Sequence, residues 1–216
     1  MKKNLNKYSV ILTLLVIGAF IFKDKFIYLA PSLQVSIALL IYPFTFLIPI
    51  LIFNQTKASQ AKKEILLSAL FTVLFYLVVS LLCTISAHPD AGVIDTTLRA
   101  LFTPNSFKIS HFIIHYPDLV IIPFLAIYIL SHYILLSVHD AIKYYTNTYL
   151  GFGFAVLIAF IIDTIFMVPL SHIKDIIAVN YAAIDLIKYL TANFIVVLLT
   201  SLVLIFSYPF FVKDKA

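Results

Sequence analysis

A chain of 216 residues that is 62% hydrophobic and only 12% charged has too little polar material to wrap a core in water. Its mean hydropathy of +1.06 and its charge-free apolar runs, each near the ~20 residues that cross a hydrocarbon core, point to a polytopic membrane protein with no room for a soluble domain. The net charge of +5 sits in lysine clusters at the ends of apolar runs, not in a basic stripe interleaved with aromatics, which argues for a lipid bilayer and against nucleic acid as the partner.

The expected architecture is all-α: one domain over residues 1–216 with about six transmembrane helices. Span one is expected over residues 8–22, closed by Lys23-Asp24-Lys25; no small-x-small cleavage site follows it, so it reads as a helix and not as a removed leader. Span two, residues 26–53, is too long for one straight helix and carries Pro31, Pro43 and Pro49. Each proline removes a backbone donor and crowds the preceding turn, which predicts a short extended lead-in near Pro31 followed by a kinked helix. Broken backbone at membrane depth is tolerated where protein or a cavity covers it, so span two is a candidate for lining a site.

A polar, lysine-bearing loop, residues 54–64, leads to span three, residues 65–86. Residues 88–110 hold turn chemistry in His88-Pro89-Asp90, Gly92 and Pro104-Asn105. His111 and His115 have the i, i+4 spacing of helical metal ligands, but neither a HExxH motif nor a Cys/His set accompanies them, so they read as loop histidines and no metal or other cofactor is expected. Spans four, five and six are expected over residues 119–140, 150–172 and 186–212, the fifth entered through Gly151 and Gly153. With the amino terminus inside, nine basic residues fall on the inner side and six on the outer, which predicts both termini cytoplasmic in a cell inner membrane.

Ionisable residues inside spans are costly and mark a cavity or a partner. Asp163, near the middle of span five, is the leading one: a ligand acceptor or proton site on one reading, a bond between helices on the other. Lys188 stands at the outer end of span six and Asp163 roughly 13 Å below that end, so the lysine can reach down to the carboxylate or snorkel to the headgroups. His132 lies centrally in span four and His139 two turns further, on the same face. Thr45, Gln34, Gln55 and Asn193 are weaker polar candidates. The chain has no Gly-x-Ser-x-Gly, no phosphate loop and no paired metal-binding carboxylates, so no enzymatic activity is expected.

Three stretches carry a family resemblance. Leu40-Ile41-Tyr42-Pro43-Phe44-Thr45-Phe46-Leu47 resembles a Tyr/Phe-Pro-x-x-Phe-Leu signature, Ala126 to His132 a run of small residues ending in Gln, and Asp163-Thr164-Ile165-Phe166 an Asp-Ser/Thr-x-x-Phe block. Asp185 to Lys188 is similar to a weaker fourth block with a characteristic lysine. In this order the blocks resemble the queuosine-precursor transporter family, also called the vitamin uptake transporter family, over about half the chain. The resemblance implies a fold like the substrate-binding subunits of energy-coupling-factor importers, and uptake of a 7-deazapurine base such as preQ0, preQ1 or queuine. It implies Asp163, His132 and Lys188 as polar contacts to that base, Tyr42, Phe46 and Phe166 as stacking faces, and Thr45 beside them. The chain departs from the family pattern where Ile48-Pro49-Ile50 replaces an acidic stretch, where His132 stands for Gln, and where Leu135 stands for Asp. A substrate-binding subunit of an ATPase-coupled vitamin importer and a non-transporting membrane scaffold are the alternatives; oligomeric state is left open.

Overall fold

The computed structural model describes residues 2–22, 26–30, 33–84, 121–171 and 183–211. Among them the chain runs as α1 (Lys2–Phe22), β1 (Phe26–Ala30), β2 (Leu33–Ser36), α2 (Ala38–Ile41), α3 (Phe44–Gln55), α4 (Ala58–Thr84), α5 (Ile121–Ile142), α6 (Thr148–Ser171) and α7 (Ala183–Phe211). The expected loop over 88–110, His111, His115, the first residues of span four and the carboxy-terminal lysines lie outside the described residues.

The first difference from expectation is in span two. Residues 26–30 and 33–36 are not its helical beginning but the two strands of an antiparallel hairpin, with Phe26 opposite Ser36 and Tyr28 opposite Gln34. The extended lead-in foreseen at Pro31 is therefore two strands long. Aromatic and β-branched residues in Phe26-Ile27-Tyr28 suit a strand as well as an apolar helix, so hydropathy alone does not separate the two. Ser36 joins the hairpin to the helices: its hydroxyl donates to the Phe22 carbonyl at 3.3 Å and accepts from the Ala38 N–H at 3.2 Å. Helix α1 also starts earlier than Tyr8, at Lys2.

The bundle is inside out relative to a soluble protein. Leu66, Leu70, Phe71 and Leu74 of α4 and Ile195, Leu199, Leu202 and Phe206 of α7 are exposed, whereas Thr45, Ser68, Thr72, Ser131, His132, Asp163 and Ser201 are buried. An apolar belt of that extent is stable against lipid and not against water. Four helical stretches, Ala38–Gln55, Ile121–Ile142, Thr148–Met167 and Leu190–Phe211, are each long and apolar enough to cross a membrane; Lys7–Phe22 is a shorter apolar helix. The chain is built as a helical membrane protein.

The centre of the bundle is α3. Every residue from Thr45 to Phe53 is buried, as expected of a helix that is apolar on all sides. It packs on α1, α4, α5 and α7. At the periphery, only 22% of Leu190–Phe211 is buried, against 61% of Ala38–Gln55. Close approach of α7 to α6 depends on Gly153, where a Cβ would come within 3.2 Å of Ile205.

Two short connections, residues 56–57 and 143–147, mark one end of the bundle. Asn147 caps α6 there, its side-chain oxygen accepting the Leu150 N–H at 2.8 Å. The same end gathers Tyr8 with Gln55, Ser9 with Glu64, and Asn54 with Tyr208. The beginning of α1 and the end of α7 therefore lie on this side.

Candidate functional site

Span two is interrupted at the residues that matter most. Tyr42 and Pro43 separate α2 from α3 while keeping right-handed helical angles, φ −56 and ψ −38 at Tyr42 and φ −54 and ψ −33 at Pro43. The ladder tightens here: Thr45 N–H donates to the Tyr42 carbonyl at 2.9 Å and Phe46 N–H to the Pro43 carbonyl at 3.1 Å, both three residues back. Pro43 has no N–H to give, and Pro49 removes the donor that would reach the Thr45 carbonyl. Tyr42 N–H keeps its helical bond to the Ala38 carbonyl at 2.7 Å, so the loosening lies on the carboxy-terminal side of Tyr42.

From this point the Tyr42 side chain crosses to α6. Its phenol donates to Asp163 Oδ1 at 2.8 Å, and Asp163 is 4% exposed. Ser131 of α5 is a polar neighbour of both groups and donates to the Tyr128 carbonyl at 3.1 Å. By helical rise, Tyr42 and Asp163 lie roughly 20 Å from the short-connection end, past the middle of a ~30 Å hydrocarbon core. A carboxyl at that depth is held by protein groups or by a ligand, because bulk water is absent.

His132 forms the other half of the cluster and is fully buried. Its Nδ1 lies 2.7 Å from the Tyr128 carbonyl, which can only accept, so Nδ1 carries a proton. Its Nε2 lies 3.0 Å from the Thr45 hydroxyl, which is itself 2.6 Å from the Tyr42 carbonyl. With a neutral ring, one hydroxyl proton therefore serves two acceptors. The Phe46 ring lies flat on the imidazole, centroids 4.3 Å and planes 17° apart, and Phe160 closes on Phe46 at 4.4 Å. Tyr128 extends the network to α4, its hydroxyl 2.7 Å from that of Ser68.

Of the residues singled out in the sequence, Tyr42, Thr45, Phe46, His132 and Asp163 are brought together from three helices. Phe166 is not: it is 51% exposed, on the outer face of α6. Lys188 is exposed on α7; among the described residues, Tyr42 and Ser131 reach Asp163. Phe166, three residues on from Asp163, is rotated from it by about 60° round the helix, which turns it to the lipid side. Ile50 and Leu135 are buried core side chains.

Sequence reasoning passed over Tyr128 and Ser68 as polar partners. The signal available was a hydroxyl on each of two apolar runs, but which helix faces which was needed to pair them. A second polar group forms at the short-connection end. Asn54 donates to the Tyr208 hydroxyl at 2.7 Å and lies 3.4 Å from His139 Nε2. Glu64 accepts from Ser9 and from Gln60. Among the described residues, no group of three His, Cys, Asp or Glu side chains converges as metal ligands would.

Comparison with protein-family models, with curated proteins and with solved structures finds no match to this chain.

Proposed function

We propose that the protein is a six-span inner-membrane importer of a small, flat, donor-bearing heterocycle, with both termini cytoplasmic, and that 7-deazaguanine precursors of queuosine are its substrates. The observation that carries this reading is a carboxyl past the middle of the hydrocarbon core, bonded to a phenol beside a stacked Phe46–His132 pair. A deazaguanine edge offers adjacent N–H donors to such a carboxylate, and its ring suits an aromatic face. Thr45 and His132 add acceptor positions close by. Passage is by alternating access around this cluster, either facilitated or with a proton carried on Asp163. No reaction is assigned to the chain; it is read as a carrier, with no cofactor.

A second reading, a membrane scaffold that moves no solute, is favoured by one observation. His132 is fully buried, with both ring nitrogens facing protein groups. A third, the substrate-binding subunit of an ATPase-coupled importer, is separated by co-purification with an ATPase.

Complementation decides among them. In a bacterium unable to make queuosine precursors and lacking its own importer, the chain is expressed, preQ0, preQ1 or queuine is supplied, and tRNA is assayed for queuosine. Restored modification that is lost in Asp163→Ala is expected. No restoration with any of the three bases, despite confirmed insertion, overturns the substrate assignment; equal accumulation by wild type and Asp163→Asn removes the carboxylate from the mechanism.

A further inference from the structure

The side chain that engages Asp163 is anchored beside the proline break between α2 and α3. A phenol that merely tied two helices together would gain most from a rigid base. Tyr42 instead sits where the helical ladder contracts to bonds three residues back, at 2.9 and 3.1 Å, with Pro43 next to it and Pro49 about two turns on. Short stretches of such tightened helix are common hinges. The segment before it, Ala38–Ile41, is a single turn joined to the hairpin through Ser36. Toward the amino terminus Tyr42 is held by that single turn alone, its N–H donating to the Ala38 carbonyl at 2.7 Å.

The surroundings of the phenol complete the argument. Its ring meets Phe46 edge-on at 5.4 Å, Phe124 at 6.3 Å, Tyr128 at 6.4 Å and His132 at 6.1 Å. A flat ring with one hydrogen-bond donor thus lies among four other rings, and its donor is on the one buried carboxyl of the cluster. Aromatic faces with an acceptor at the end of the slot are what a planar N–H or O–H ligand would require.

We propose that Tyr42 is an internal stand-in for the ligand: its ring and hydroxyl hold the place on Asp163 that a planar donor takes, and the Tyr42–Pro43 break is the hinge on which it leaves. This inference rests on the ligand-binding reading of the Asp163 cluster. It makes Tyr42 a competitor for the carboxyl and not a contact to the bound solute. Occupation of the site then couples directly to movement of α2 and of the hairpin attached to it.

The test uses the full chain in lipid nanodiscs. Binding of preQ0, preQ1 and queuine is measured for wild type, Tyr42→Phe and Asp163→Asn. Removing the hydroxyl keeps the ring and deletes the competing bond, so Tyr42→Phe is expected to bind about tenfold more tightly than wild type, the equivalent of one hydrogen bond to a charged group. Asp163→Asn is expected to lose binding. Binding by wild type with equal or weaker binding by Tyr42→Phe overturns the stand-in role and leaves the importer reading in place. A readout without ligand separates the two ideas further. Dicyclohexylcarbodiimide modifies carboxyl groups within membranes, and modification of Asp163 is followed by mass spectrometry. Faster modification in Tyr42→Phe than in wild type supports the stand-in even if none of the three bases binds. Equal rates in the two proteins overturn it.

Discussion

Two polar clusters in this bundle use similar side chains and stand in different solvents. The deeper one joins Tyr42, Asp163, Thr45, His132, Tyr128 and Ser68 across α3, α4, α5 and α6. The other, at the short-connection end, joins Asn54, Tyr208 and His139, with Glu64, Ser9 and Gln60 nearby. Each contains a buried carboxyl and a buried histidine. At the deeper cluster every lost partner leaves a polar group facing hydrocarbon or other side chains. At the bundle end, headgroups and water stand within reach of Lys57, Lys63, Tyr144 and Tyr145, all of them exposed. The same bond is therefore expected to matter more at depth than at the end.

The largest effect that would sharpen this contrast is at His132. His132→Ala removes both ring bonds and the stack on Phe46, and is expected to destabilise the bundle by about 3 kcal/mol, in the range of a buried aromatic truncation. Thermal unfolding in detergent measures it, and a shift no greater than that of an end-cluster variant would break the comparison. Next is the link between α4 and α5. Tyr128→Phe and Ser68→Ala each delete one end of the 2.7 Å contact, and their double-mutant cycle is expected to give a coupling of about 0.6–1.7 kcal/mol. Additive effects would mean that the two hydroxyls are each satisfied within their own helices.

Smaller still is Asn54→Ala. Water can replace the amide beside Tyr208, so a loss below about 1 kcal/mol is expected in the same unfolding assay. A loss matching that of His132→Ala would show that the bundle end is as dry as the interior. Least of all is Asp140→Ala, which deletes the half-exposed Asp140–Lys143 pair at 2.7 Å. A change within about 0.5 kcal/mol, shrinking further as salt is added, is expected.

Much of the deeper cluster was legible before any coordinates. Asp163 announces itself as a lone carboxyl in an apolar run, and Pro43 and Pro49 mark α3 as irregular. His132 and Thr45 stand out as polar residues in apolar runs, and Tyr42 and Phe46 through the signature in which they stand. What the chain does not disclose is pairing. The partner of Asp163 is 121 residues away, and neither hydropathy nor spacing relates the two. For the same reason Lys188, on the next helix in the chain, stays open in the sequence between reaching Asp163 and snorkelling to the headgroups; it is exposed on α7. Phe166 fell on the lipid side because its block was read as a motif and not as a helical wheel. The hairpin escaped because lipid-compatible strands and helices share a composition, and only its hydrogen bonds distinguish them.

The separation between Tyr42 and Asp163 also has a meaning for biosynthesis. At ~5–20 residues per second a ribosome needs on the order of ten seconds to add the 121 residues between them. Through that interval the first half of the bundle stands in the bilayer with a phenol that has no carboxyl to meet. When α6 emerges, its aspartate enters lipid as the most costly residue of the segment, and docking on α3 relieves both. Closing the centre of the bundle is thus a late step of assembly, because a chain halted before α6 lacks the carboxyl that Tyr42 meets.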